Sequence, residues 1–260
     1  MSSVTRTTLL GDDEPEAFDI AGGGGSSPFL IACDHAGRRL PRSLGSLGLS
    51  PAELQTHIAW DIGAGAVARR LGALLDAVVI CQPYSRLVID CNRPPGAPDS
   101  IVATSERTEI PGNRGIEPPE AELRARAVFH AYHDRIGDEL DRREQLGRSS
   151  IFVAMHSFTP VFLDVARPWH VGVLFNRDAR IAEVLLRLLR SETGLVVGCN
   201  EPYAASELTD YSLIRHGETR GIAAVELEVR QDLIAEEAGQ AEWAERLARA
   251  LAAAAGSLGM

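Results

Sequence analysis

Ile151-Phe152-Val153-Ala154-Met155-His156-Ser157-Phe158-Thr159-Pro160 is apolar as far as Met155 and polar immediately after it. A run this short and rich in Ile, Val and Phe reads as a strand rather than a free-standing helix. Its carboxyl end therefore carries a histidine and two hydroxyls. Outward from it the pattern alternates. Residues 120–146 before it and 179–193 beyond it have helical period, as do 64–75 and 237–255. Residues 29–33, 77–81, 87–90, 170–175, 194–198 and 223–229 read as further strands. Ser50-Pro51-Ala52-Glu53 reads as a short helix start, with serine at the N-cap, proline next and an acid three residues on. Alternation of this kind predicts an α/β/α sandwich around a largely parallel sheet, with ligands gathering beyond the carboxyl ends of its strands.

Composition sets the class. The 260 residues are 45% hydrophobic, 24% charged and only 5% aromatic, so aliphatic side chains and alanine must fill the core. A net charge of −10 disfavours nucleic acid and anionic membrane surfaces as partners. Cys33, Cys81, Cys91 and Cys199 lack the spacing of a zinc knuckle or a disulfide framework and read as small buried hydrophobes. No amino-terminal signal pattern and no membrane-length apolar run is present, and the expected location is cytoplasmic. Residues 1–27, with an acidic stretch and a run of glycines, read as a flexible lead-in to one catalytic domain at 28–260.

Several polar stretches fall at strand or helix ends. His35 follows the first strand on a turn with Gly37 two residues on, and either lines a cleft or caps the next element. Asp61 opens a helix, as a cap or as a carboxylate ligand. Arg86 and Arg93 bracket the 87–90 run, with Asn92 beside the second, and a guanidinium fork matches a carboxylate in a bidentate manner. Glu226 and Glu228 share one face of a strand that otherwise reads as central. Buried carboxylates need partners or shifted pKa values, so one is a general-base candidate and the other a structural group paired with Arg230. Tyr203, His170 and His216 are further pocket candidates, whereas His57, His130 and His133 read as ordinary helix-face residues. G-x-S-x-G, P-loop, G-x-G-x-x-G and H-E-x-x-H motifs are all absent.

His35-Ala36-Gly37, Asp61 with Gly63-Ala64, Ser85-Arg86 leading to Asp90-Cys91-Asn92-Arg93-Pro94, His156 through Pro160, and Glu228-Val229-Arg230 occur in this order between Phe29 and Asp232. Together they resemble the N-formylglutamate amidohydrolase family. The resemblance implies kinship with zinc carboxypeptidases and aspartoacylases, and hence their three-layer fold with a mixed, mostly parallel sheet, the phosphorylase/hydrolase-like architecture. It also implies a zinc-dependent hydrolase with His35 and His156 as metal ligands and Glu228 as general base. Arg86, Asn92 and Arg93 would clamp a substrate carboxylate. Those relatives carry a glutamate three residues after the first histidine, where this chain has Arg38. Asp61 is taken as the replacing ligand, with Asp34 as its rival. The implied reaction releases formate, or another carboxylic acid, from N-formylglutamate or a similar N-acyl amino acid. A related amidase or peptidase with a different carboxylate-bearing substrate, and a silent binder of anionic metabolites, are the alternatives.

Overall fold

The computed structural model describes residues 8–22 and 24–260. The strands of the main sheet are β1 (Asp19–Ala21), β2 (Phe29–Cys33), β3 (Val78–Cys81), β4 (Ile151–Phe158), β5 (Val171–Leu174), β6 (Val197–Cys199) and β7 (Ala223–Arg230). They form one seven-stranded sheet in the order β1-β3-β2-β4-β7-β5-β6. The block β3-β2-β4-β7 is parallel throughout. β1 lies antiparallel on β3, while β5 lies antiparallel on β7 and carries β6 parallel beside it. The sheet is mixed and mostly parallel, as expected. That β5 and β6 run against the block was not legible from the pattern.

Helices α1 (Ala64–Leu75), α4 (Arg180–Arg190) and α5 (Glu237–Ser257) cover one face, and α2 (Pro118–Arg124) and α3 (Ala131–Gln145) cover the other. Period-two alternation sorts the core between the two faces. Ile31, Val79, Val153 and Val225 pack with Val67, Leu71, Leu185 and Leu251. Leu30, Ile80, Phe152 and Ala224 pack with Val128, Phe129, Tyr132 and Ile136. Each fully buried aliphatic side chain of this kind contributes roughly 1.5–3 kcal/mol. Alanine and glycine allow close layering: a Cβ on Gly72 of α1 would come within 2.1 Å of the Val79 side chain.

Two expectations need correction. The single helix at 120–146 is α2 and α3 joined by a widened π-helical stretch, Ala125–His130. Residues 87–90 are not a strand, although Leu87, Val88 and Ile89 are buried. Their backbone is satisfied by loop partners instead of a ladder: Arg86 N–H donates to Ala59 O, Val88 N–H to Ser85 O, and Asp90 N–H to Ser100 O. Part of the lead-in lies against the domain. Leu9 and Ala17 are buried and Asp19–Ala21 forms the sheet's edge, while residues 1–7 and Gly23 lie outside the described residues. Ser50 and Glu53 do bond each other reciprocally, but they introduce only a short turn of 3₁₀ helix, Glu53–Gln55. Among the described residues, no helix is long and apolar enough to cross a membrane.

Candidate functional site

The parallel strands β2, β4 and β7 are neighbours, so their carboxyl ends open on one place. Asp34 and His35 leave β2 there, His156 lies near the end of β4, and Glu226 and Glu228 lie on β7. The register pairs Glu228 directly with His156. Alternation turns both to the face shared by Phe152 and Ala224. Gly37 is required just beyond His35, because a Cβ would meet the Pro83 carbonyl oxygen at 2.1 Å.

Asp61 arrives from the loop before α1. The cap residue of that helix is Gly63, at φ 81°, and no side chain caps it. A Cβ on Gly63 would meet Ile234 O at 2.1 Å, so only glycine fits. The Asp61 carboxylate is thereby left for the site, and its capping role is set aside.

His156 Nδ1 is 2.8 Å and His35 Nδ1 3.4 Å from the same oxygen, Asp61 Oδ2. The opposite ring nitrogens rest on other carboxylates: His35 Nε2 lies 2.7 Å from Asp90 Oδ1 and His156 Nε2 3.2 Å from Asp34 Oδ2. With Nε2–H donated outward in each ring, both Nδ1 lone pairs converge with Asp61. Carboxylates behind the rings fix tautomer and orientation, which is how metal-binding histidines are supported. Ligand atoms of His35, Asp61 and His156 lie within 4.8 Å of one another, all three residues buried, so the group can hold a metal ion. Two imidazoles and one carboxylate form the donor set of a catalytic zinc site. Asp34, the rival ligand, stands behind His156 and accepts from Ser212 Oγ at 2.7 Å. Arg38 stacks on Trp60, 5.5 Å from the ring centre, and supplies nothing to the site.

Electrostatics favour a cation here. Burial opposes charge on His156, yet Glu226, Asp34 and Asp61 around it hold its pKa well above the usual value. Burial likewise works against ionised Asp61, but His35 and His156 keep it below the ordinary carboxylate range. Glu228 is 5% exposed and its Oε2 has no partner among the described residues. Burial, with Asp61 adding to it and the two histidines opposing, pushes its pKa up to about 7. Glu226 is raised further, by burial and then by Asp210, and accepts from Asn92 Nδ2 at 3.3 Å. Arg230 pairs with Asp232 and not with Glu226.

A cavity of about 400 Å³ opens onto these groups and is also lined by Arg86, Asn92, Arg93 and Tyr203. Arg86 is largely committed: its Nε and Nη2 donate to Asp90 Oδ2 at 3.1 and 2.5 Å, and Nη1 lies 3.5 Å from Asp61 Oδ1. Arg93 donates Nε to Asp99 at 2.8 Å and Nη1 to the carbonyls of Asn92 and Thr209. Its Nη2 makes no hydrogen bond among the described residues. The Asn92 amide bridges Glu226 and the Ser212 backbone, at 3.3 and 3.1 Å.

Tyr203 reaches the cavity by an unusual route. β6 runs against the central block, so the chain turns back over the sheet after Cys199. Gly172 and Gly198 leave a bare strip for it: a Cβ at either would approach Glu201 O to 2.1 or 2.7 Å. His170 and His216 line no part of the cavity. His170 Nδ1 accepts from Val196 N–H at 2.9 Å, and His216 Nε2 lies 2.9 Å from Nδ1 of the buried His133. His57, read as a helix-face residue, does line the cavity and lies 3.0 Å from Glu106. Of the carboxylates behind the rings, Asp34 was read in sequence as the rival ligand and Asp90 only as part of a motif.

The architecture is that of a three-layer α/β domain whose central strands end in a buried histidine–carboxylate cluster. The model of N-formylglutamate amidohydrolases matches residues 27–235. An N-formylglutamate deformylase of Pseudomonas putida is 30% identical over 244 residues, covering 86% of this chain and 88% of that protein. The crystal structure of gene product Atu2144 from Agrobacterium tumefaciens superposes with a TM-score of 0.94 at 35% identity, over 97% of this chain and 100% of that one. An N-formylglutamate amidohydrolase from Ralstonia eutropha JMP134 shares the fold at a TM-score of 0.63 and 18% identity, over 92% and 97% of the two chains. The chain belongs to the N-formylglutamate amidohydrolase family, and it is an amidohydrolase.

Proposed function

We propose that this amidohydrolase cleaves the formamide of N-formylglutamate, or of a similar N-acyl amino acid, with a divalent metal ion, zinc in the first instance, held by His35, Asp61 and His156. The observation carrying the metal reading is the convergence of His35 Nδ1 and His156 Nδ1 on one Asp61 oxygen, with both outer ring nitrogens backed by carboxylates. The substrate reading rests on kinship with the Pseudomonas putida deformylase.

A bound ion of this kind supplies Lewis-acid polarisation of the amide and a more acidic water. The chain's own residues do the rest. Glu228, which lines the cavity and whose Oε2 has no partner among the described residues, takes the proton of the attacking water and returns it to the departing nitrogen. Arg93 receives a substrate carboxylate on its uncommitted Nη2. Arg86, fixed by Asp90 and Asp61, offsets the negative charge of those two carboxylates beside it. Binding energy from the carboxylate thus orients the amide toward Glu228.

Formate release from N-formylglutamate, measured beside metal content, tests this reading. Exhaustive chelation is expected to abolish turnover, and added zinc to restore it; full activity in metal-free protein would remove the metal from the mechanism. A panel of N-formyl and N-acetyl amino acids resolves the acyl group. Arg93→Ala is expected to raise KM for carboxylate substrates about 10- to 100-fold, the loss of a charge-assisted pair, with metal content unchanged. Equal kcat/KM for Arg93→Ala and the parent would reject the clamp.

A further inference from the structure

Arg167 is 9% exposed and forms no ion pair among the described residues. Its guanidinium lies over three aromatic rings, 4.6 Å from the centre of Phe162, 4.8 Å from Tyr203 and 5.9 Å from Phe158. Its Nη1 donates to Tyr203 Oη at 2.8 Å. All three aromatic side chains line the catalytic cavity, whereas Arg167 stands behind them. A buried cation without a carboxylate is costly unless aromatic faces and a good acceptor offset the loss of water. Here the acceptor is a cavity-wall hydroxyl, which is an unusual investment for packing alone.

The consequence falls on the tyrosine proton. With Tyr203 Oη accepting from Arg167, its own O–H has no acceptor among the described residues. Three other hydroxyls of the wall are spent internally: Ser157 donates to Ile62 O, Thr159 to Val161 O and Thr209 to Asp210. Tyr203 lines the same cavity as Arg86 and Glu228. Burial and Glu228 raise the phenol's pKa and Arg167 lowers it, so Arg167 also makes the O–H the stronger donor.

We propose that Tyr203 is a catalytic hydrogen-bond donor to the amide oxygen of the substrate, and that Arg167 is the positioning residue that aims it. The proposal rests on the amide-hydrolysis reading above. That oxygen gains negative charge as water adds to the carbonyl, so a donor held in place beforehand stabilises the transition state more than the ground state.

The test uses metal-loaded Tyr203→Phe, Arg167→Met, Arg167→Lys and the Tyr203→Phe/Arg167→Met double variant. Tyr203→Phe should lower kcat roughly 10- to 100-fold with KM nearly unchanged. Arg167→Met should lower it by a similar factor, Arg167→Lys by less, and the double variant no more than Tyr203→Phe alone. In an ultraviolet titration, the phenol that disappears in Tyr203→Phe should ionise at higher pH in Arg167→Met than in the parent. Multiplying effects in the double variant, an unmoved phenol titration, or a Tyr203→Phe change confined to KM would each overturn the proposal. Should Arg167→Met fail to fold, kcat of Tyr203→Phe and the phenol titration of Arg167→Lys decide the matter. A parent protein that releases no formate from N-formyl amino acids defeats the substrate reading instead, while the titration still judges the Arg167–Tyr203 pair.

Discussion

Glu228→Gln is expected to lower kcat by roughly 10²- to 10⁴-fold, the range that positioned general acid–base catalysis contributes. The substitution keeps shape and hydrogen-bonding capacity but removes the basic oxygen, so KM and metal content should change little. Oε2 has no protein partner to lose, and replacing it breaks no internal bond. The pH profile gives an independent check. A general base must be ionised, and burial holds Glu228 protonated up to a pKa of about 7. Activity should therefore fall as pH drops through that region. A cation on the neighbouring ligands favours the carboxylate, which places the acidic limb of the loaded enzyme at or below about 7. Residual activity of Glu228→Gln should lack this limb. A variant within a few-fold of the parent, or one keeping the same limb, would transfer the role to Glu226.

Arg143→Ala is expected to destabilise the fold by about 3–5 kcal/mol without touching the cavity. Arg143 is 2% exposed and joins α3 to the start of β2. Its Nη1 donates to Ser27 O at 3.2 Å and Pro28 O at 3.1 Å, its Nη2 to Phe29 O at 3.0 Å, and its Nε to Glu139 at 3.1 Å. Truncation takes a donor from the carbonyls of Ser27, Pro28 and Phe29, of which Pro28 O keeps Ile151 N–H, and leaves Glu139 with Arg142 and the more distant Arg135 as partners. Urea denaturation reads the loss as a lower midpoint at unchanged slope. A shift under about 1 kcal/mol would mean that water replaces the lost donors.

Arg143 also shows where sequence reading stops. Asp141-Arg142-Arg143-Glu144 has the composition of a solvated helix face, and nothing local reveals that one arginine reaches the next layer. Legibility followed the range of the signal. β2, β4, β7 and α1 were readable because apolar runs and helical period are local. His35, Asp61, His156 and Glu228 were recognisable together through ordered motifs at strand and helix ends, and the fold brings them into one cluster. The reversal of β5 and β6 leaves no local trace, since a strand's direction is set by its partner. The buried 87–90 run imitated a strand because burial, not pairing, selects its residues. Arg167 went unnoticed because its partners Phe158, Phe162 and Tyr203 come from separate segments and meet only in three dimensions.

The bare strip formed by Gly172 and Gly198 carries a consequence for how this enzyme diversifies. The wall bearing Tyr203 is seated main chain against main chain, with Glu201 O where side chains would otherwise stand. A methyl group at Gly172 would collide with Glu201 O, so Gly172→Ala is expected to displace the segment that carries Tyr203 and to change which acyl groups are accepted. Acceptance of acyl groups is thus adjustable from the sheet floor, remote from the reacting atoms.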